Sequence, residues 1–401
     1  MARLPRNVWA LAAVSFWTDV SSELIAPLLP TILTVGLAAT PAMLGLIEGA
    51  AESTAALLKL WSGRWSDRVV RRKPLVVAGY TIASIVRPLV AVATSATQVL
   101  AIRMADRVGK GLRSAPRDAL IADAVSPTER GRAFGVHRAA DHAGAVVGPL
   151  VAWALLARGV GVRDVFLAAA VPGAIAVLIA WFAVREVPRA VSAPAAAVAH
   201  DAVTSSSPTR AHDAPSLRAL RTPLVAITLF ALGNSTDAFL LLRAGQLGVP
   251  VAQLPLLWAL LHVVKSASSA PGGALSDRVG RVPLVVAGWL LYVVLYLGFA
   301  VAHAPWHAWA LFAAYGVVFG LSEGTEKAMI ADLAPATARG RAFGWYHLAI
   351  GIAALPASVL FGVVWTHWSA GAAFAIGSVL AFVAALVLLS ASGARPTTMR
   401  R

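Results

Sequence analysis

Nineteen acidic and 34 basic residues are distributed over 401 positions, and many of them fall inside long apolar runs. Asp19 and Glu23 stand four apart, as do Glu48 and Glu52, so each pair shares one helix face. Arg103, Asp106, Arg107, Lys110, Arg113 and Arg117 recur at steps of three and four. They form one stripe that faces a cavity or a partner rather than lipid. His137, Arg138, Asp141 and His142 follow, then Asn234 and Asp237, His262 and Lys265, and finally Glu323, Glu326 and Lys327. Ionisable groups inside apolar spans are costly and mark solute pathways or proton relays by default. A carboxylate taken out of water can bind and release a proton near neutral pH. The candidates for that role are Asp19, Glu23, Glu52, Asp106 and Asp237; the abundant arginines require some of these to be structural counter-ions instead. Histidine could titrate too, but a lone helix histidine is more often a hydrogen-bonded core residue.

The elements that position these groups are apolar blocks of about 20 residues, the length of a helix that crosses the hydrocarbon core. The chain is 58% hydrophobic and 13% charged, outside the range of soluble domains. The pattern predicts an all-α membrane protein with helices over 8–36, 41–62, 74–93, 97–122, 133–157 and 162–184, then 223–246, 251–272, 282–303, 306–331, 342–366 and 370–392. Arg3 and Arg6 ahead of an apolar run resemble a signal peptide, but Asp19 and Glu23 interrupt it, so it reads as a retained first span. Alternate loops hold the cations: Arg64 to Lys73, Arg130 and Arg132, Arg278 and Arg281, Arg339 and Arg341. The loops at 36–42, 93–97, 303–307 and 366–370 contain no Lys or Arg, and only the loop near Arg158 and Arg163 breaks the pattern. This places both termini in the cytoplasm, in a multi-pass inner-membrane protein. It also accounts for the net charge of +15 without nucleic acid. Residues 186–222, rich in Ala, Ser, Pro and Thr, read as a linker between bundles at 1–185 and 223–401.

The bundles repeat. Gly63-Arg-Trp-Ser-Asp-Arg-Val answers Gly273-Ala-Leu-Ser-Asp-Arg-Val, and Thr128-Glu-Arg-Gly-Arg-Ala-Phe-Gly answers Thr337-Ala-Arg-Gly-Arg-Ala-Phe-Gly, at offsets of 210 and 209. Six spans per copy make a parallel repeat about an axis along the membrane normal.

These features resemble the major facilitator superfamily, specifically a bacterial drug-efflux-like branch. The loop from Gly63 to Arg72 is similar to the signature loop of that family, departing at Trp65 and Val70 where Leu and Gly are usual. The resemblance implies two pseudo-symmetric six-helix bundles and transport by alternating access. It also implies a conformational lock of Gly63, Asp67, Arg68, Arg71 and Asp123, with Gly273, Asp277, Arg278, Arg281 and Asp332 as the second copy. Gly144-Ala-Val-Val-Gly148-Pro149 resembles an antiporter packing motif, and Arg103 begins a helix-4 pattern in which Asp106 and Arg107 replace Gln and Gly. The substrate or proton pathway is expected at Asp19, Glu23, Glu48, Glu52, Arg103, Asp106, Arg107, Lys110, Asp141 and Asp237. A gate is expected where Arg113 and Arg117 meet Glu323 and Glu326 at the cytoplasmic mouth; pairing of each group within its own half is the alternative.

Enzymatic chemistry finds little footing. Val108-Gly109-Lys110-Gly111 echoes a phosphate loop, but Met104 stands where its first Gly belongs and no Ser or Thr follows the Lys. His137 and His142 lack the spacing of a helical zinc pair. Cysteine is absent and five methionines are scattered, so neither thiolate metal sites nor cofactors are expected. The expected partners are a small solute, protons and the bilayer, with a monomeric chain. Proton-coupled efflux of a small organic compound is the leading expectation. Uptake of an anionic or zwitterionic metabolite or siderophore is the alternative, and a non-transporting sensor of the same fold a remote one.

Overall fold

A computed structural model describes residues 4–69, 71–126, 129–186, 220–334 and 339–393; the side chains at 64, 67, 68, 130, 131, 339–341 and 391–393 lie outside that description. Twelve long helical segments result: α1 (6–36), α2 (Pro41–Arg68), α3 (Lys73–Val92), α4 (Ala96–Asp123), α5 (Arg130–Ala157), α6 (Val162–Phe182), α7 (Arg221–Gln246), α8 (Val251–Val279), α9 (Arg281–Val301), α10 (Pro305–Leu333), α11 (Arg339–His367) and α12 (Ala370–Gly393). No strand occurs among the described residues. Eight segments are apolar enough to cross a bilayer on hydropathy alone. The other four, α1, α2, α4 and α10, carry most of the charges singled out above.

Local sequence sets the ends. Thr40 caps α2 by accepting a hydrogen bond from Met43 N, with Pro41 at the first helical position. Ser95 caps α4 through Gln98 N, and the Gln98 side chain reaches back to Thr94 N at 2.8 Å. Glu186, assigned to the linker from sequence, lies on the start of α3, its carboxylate accepting from Arg72 N and Lys73 N at 3.0 and 2.8 Å. Gly280 connects α8 to α9 at φ +101°, a conformation that favours glycine. α1 is irregular beyond Ile25, where Pro27 and Pro30 interrupt the ladder.

Small residues set the packing, as expected where lipid supplies no hydrophobic drive between helices. A Cβ on Gly111 of α4 would lie 2.5 Å from Leu58 of α2. A Cβ on Gly320 of α10 would lie 2.2 Å from Ser268 of α8. Gly320 is 209 residues after Gly111 and Ser268 is 210 after Leu58, so the sequence repeat recurs as a packing repeat. Between the halves, α2 packs on α11 and α5 on α8. The α2–α11 seam is close: a Cβ on Gly45 would stand 2.1 Å from Ser358 O, and one on Gly362 2.5 Å from Pro41 O.

The halves differ inside. Adding 209 to Arg103, Asp106 and Lys110 gives Phe312, Tyr315 and Phe319. Ionic pairs fill the N-terminal half. The C-terminal half is filled with rings: Phe230 stacks on Trp289 at 4.6 Å, Tyr292 on Tyr296 at 4.0 Å and Phe299 on Phe374 at 5.4 Å.

Candidate solute pathway

A cavity of about 350 Å³ lies between the halves. Glu23, Glu48, Glu52, Arg103, Arg107 and Lys110 line one side, and Asn234, Asp237, Trp258, Phe319 and Ser358 the other. Of the stripe on α4 expected from sequence, Arg103, Arg107 and Lys110 face this space, with Glu48 and Glu52 of α2 and Glu23 of α1; Asp106, Arg113 and Arg117 do not line it, nor do Asp19 and Asp141, which were expected in the pathway.

On the N-terminal side the charges form a chain. The guanidinium of Arg103 makes a bidentate pair with Glu48, both bonds 2.9 Å and both residues buried. Its remaining nitrogen lies 3.7 Å from Asp106. Asp106 accepts from Arg87 at 2.9 Å, and Arg87 also donates to Ser21 Oγ and Thr18 O on α1. Arg87, 3% exposed, was not among the sequence candidates. Its signal was a lone arginine within the third apolar run. Arg107 pairs with Glu52 at 3.0 Å, and that carboxylate is open to the cavity. The cations at 103 and 107 are therefore already neutralised. Lys110 has no carboxylate within 4 Å among the described residues.

Asp19 and Glu23 are set by a backbone contact. A Cβ on Gly144 of α5 would fall 2.5 Å from Phe16 O and 2.9 Å from Asp19 Cβ, and one on Gly148 would fall 2.7 Å from Val20 O. The Gly144-Gly148-Pro149 motif is thus the bearing surface for the turn of α1 that carries both acids. The Asp19 carboxylate makes no hydrogen bond or ion pair among the described residues, and it lies near Asp141 and Lys110. Asp141 itself is 3.5 Å from His137 and 3.8 Å from Arg138. Glu23 crosses to the other half, accepting from Trp258 Nε1 at 2.7 Å with His262 at 3.8 Å.

On the C-terminal side α7 is broken. Helix runs from Arg221 to Gly233, residues 234–236 are irregular, and helix resumes at Ala238. The sequence-based span was continuous. Asn, Ser, Thr and Asp in succession compete for backbone hydrogen bonds and favour turns. Tyr residues hold the break: Tyr292 donates to Gly233 O and Tyr315 to Asp237 Oδ1, both at 2.9 Å. Interrupted helices at mid-depth are typical of transporter binding sites.

The pairs expected between Arg113 and Arg117 on one side and Glu323 and Glu326 on the other are not formed in this structure. Arg113 lies over the Tyr80 ring, 4.5 Å from its centre, and Arg117 pairs with the adjacent Asp118 at 2.8 Å. Glu323 pairs with Lys265 and Lys327 at 3.2 and 3.0 Å. Glu326 is buried and accepts from Trp289 and Tyr346 at 2.9 and 3.2 Å. Each group's contacts lie within its own half, the alternative weighed from sequence, although one buried guanidinium nitrogen of Arg113 has no hydrogen-bond partner. The hydrogen bonds that join described residues of the halves lie elsewhere, at Ala42 N to Thr366, Ser53 to Gly351 O and Trp258 to Glu23. These fall at mid-span or toward the ends that lack basic loops.

The signature loops are seen in part. In the second copy Arg281 joins Asp277 at 2.6 Å and Asp332 at 3.2 Å, and also bonds Ser276. In the first copy Asp123 pairs with Arg72, not with Arg71. The repeat offset falls from 210 at Asp67 to 209 at Pro74, so Arg72 is the counterpart of Arg281 and Arg71 the extra residue. The Asp67 and Arg68 side chains lie outside the described residues. Gly63 and Gly273 sit within α2 and α8, and Arg278 lies in the last turn of α8. Arg72→Ala is accordingly expected to impair transport in reconstituted vesicles more than Arg71→Ala; equal losses would refute the reassignment.

A profile described as Major Facilitator Superfamily matches residues 11–264 and 224–400. The chain belongs to the major facilitator superfamily. It is 32% identical over 393 residues to an MFS-type transporter of Methanocaldococcus jannaschii, covering 96% of this chain and 95% of that one. A shorter match, 31% identical over 98 residues and covering 24% of each chain, is to the multidrug resistance protein MdtH of Cronobacter sakazakii. Among solved structures, a bacterial homologue of the human lysosomal transporter Spinster, inward-facing and occupied, superposes with a TM-score of 0.75 at 17% identity over 97% of this chain and 96% of that one. This superfamily chain is thus a multi-pass membrane transporter of the alternating-access type for a small solute.

Proposed function

We propose that the protein exports a small organic compound across the inner membrane in exchange for protons. The observation that carries this reading is the cavity between the halves. Two of its carboxylates, Glu23 and Asp237, have no Lys or Arg partner within 4 Å; each accepts one hydrogen bond, from Trp258 and Tyr315, and they share the cavity with the Trp258 and Phe319 rings. Such a site suits an amphipathic solute with a cationic or hydrogen-donating group. Asp19, free of ion pairs beside Asp141 and Lys110, is the proposed proton carrier. Its seat against Gly144 and Gly148, in a motif similar to that of antiporters, and the partial likeness to MdtH support export. With the basic loops in the cytoplasm, the α2–α11 seam closes the outer side and the cavity faces inward. In this reading bundles 1–185 and 223–401, joined by 186–222, rock as one monomer. Arg113 and Arg117 engage Glu323 and Glu326 only when the inner side closes. The Asp123 and Asp332 clusters latch the same transition.

Lys110 favours a second reading. It faces the cavity without a carboxylate within 4 Å, and an anionic or zwitterionic solute taken up with protons would complete it.

Everted vesicles with an acidic lumen separate the two. Under export, adding a carried compound collapses the pH gradient and loads the vesicle, and Asp19→Asn abolishes both. Discharge of a preloaded anionic solute under the same gradient, with no compound taken in, would reverse the direction assigned here. Exchanging Arg117 and Glu326 should also restore activity that either single replacement removes; absence of rescue would sink the gate.

A further inference from the structure

On the outer surface of the N-terminal half, α3 and the end of α6 enclose a second space of about 910 Å³. Its floor is aliphatic, made by Val77, Ile82 and Ile85, with Trp181 forming one wall and Arg71 and Lys73 the rim. Ile85 is 62% exposed and Trp181 58% exposed, although both lie in membrane-spanning segments. From Lys73 to Ile85 is twelve residues, roughly 18 Å along a helix. That is about the depth of one leaflet of a hydrocarbon core. The groove therefore begins at a basic rim and ends near the bilayer middle.

The rim carries spare positive charge. Glu186 is its sole acid, and that carboxylate is already held by the N–H groups of Arg72 and Lys73. Lys73 Nζ donates to Trp181 O at 2.7 Å and keeps two further donors. Arg71 is exposed and has no hydrogen bond or ion pair among the described residues.

We propose that this groove is a binding site for one phospholipid with an anionic headgroup. Its phosphate sits on Arg71 and Lys73, and one acyl chain runs along Val77, Ile82 and Ile85. The two ends of the site match the two ends of such a molecule: cations at the membrane surface and an apolar trough beneath them. An extended polypeptide segment in the same trough would carry unpaired amides into hydrocarbon, which lipid does not. The assignment needs only that the chain spans a bilayer, so it stands independently of the direction of transport.

The test offers phosphatidylglycerol and phosphatidylcholine in equal amounts in mixed micelles to the full-length protein and counts retained lipid by native mass spectrometry. Phosphatidylglycerol should be retained preferentially as a single bound molecule. The double variant Arg71→Gln/Lys73→Gln should lower that preference roughly 30-fold. Ala78→Trp, which fills the trough from an exposed position and leaves the rim intact, should displace the lipid with an unchanged melting temperature. Equal retention of the two lipids would overturn the proposal, as would an undiminished preference in the rim variant or a bound lipid in Ala78→Trp.

Discussion

Leucine at position 45 is expected to expel the protein from the conformation described above. A Cβ there would stand 2.1 Å from Ser358 O and 2.8 Å from the same carbonyl carbon, with Phe239 at 3.2 Å on another side. The obstructing atoms are main chain inside a helix and cannot swing away as a side chain could. Overpacking costs about 1–3 kcal/mol even where side chains can adjust, and the remaining bulk of leucine adds to it. The strain is relieved if α2 and α11 part at that end, which is the motion that alternating access requires. A bias of about 3 kcal/mol changes a two-state population on the order of 100-fold. The chain has no cysteine, so one introduced at the cavity residue Ala26 is a unique label. It should react with a membrane-impermeant maleimide from the outer side in Gly45→Leu and not in the parent, while transport is lost. Folded Gly45→Leu protein with the parent's labelling pattern would contradict the role given to the seam.

Breaking the Arg103–Glu48 pair is expected to be strongly destabilising. Both side chains are about 8% exposed and are joined by two parallel hydrogen bonds. Arg103→Met leaves a carboxylate buried without its cation, which typically costs about 3–5 kcal/mol. Glu48→Met should cost less, because Arg103 retains Asp106 at 3.7 Å. The double replacement should recover much of the loss, since two apolar side chains can fill a site that one orphaned charge cannot. By contrast, Glu52 is 44% exposed at its side chain, and Glu52→Gln should cost no more than about 1 kcal/mol. Denaturant titration of the four variants in detergent decides this. Additive losses in the Arg103/Glu48 cycle, or a Glu52 effect as large as the Glu48 effect, would show that the pair is not a unit.

Much of this architecture is legible in the residues. Spans of fixed length, separated by loops that are basic on one side apart from Arg158 and Arg163, determine the number of crossings, because hydrocarbon tolerates few backbone alternatives. The periodicity of α4 groups six ionisable residues in one stripe, of which Arg103, Arg107 and Lys110 line the cavity while Asp106, Arg113 and Arg117 do not. Pairing was less accessible. Arg117 and Glu326 are equivalent by the repeat offset, yet equivalence under a pseudo-twofold axis does not bring residues into contact. Glu326 is satisfied by Trp289 and Tyr346 from two other helices, partners that no local pattern announces. The break in α7 is invisible to hydropathy, although Asn234-Ser-Thr-Asp237 does announce it to a reading of turn chemistry. The Arg71 to Arg72 reassignment turns on a one-residue gap in the repeat that motif matching alone passes over.

The unlike interiors of the halves have a consequence for where deformation can occur. Paired guanidinium and carboxylate groups tolerate little change of distance or angle, so the chain from Glu48 through Arg103 and Asp106 to Arg87 makes the first body stiff. Stacked rings slide over one another with small loss of contact, and the second body has such a core next to a helix already unwound at residues 234–236. Shape changes that accompany solute entry should therefore concentrate in the second body, with the first acting as the fixed surface against which they are measured.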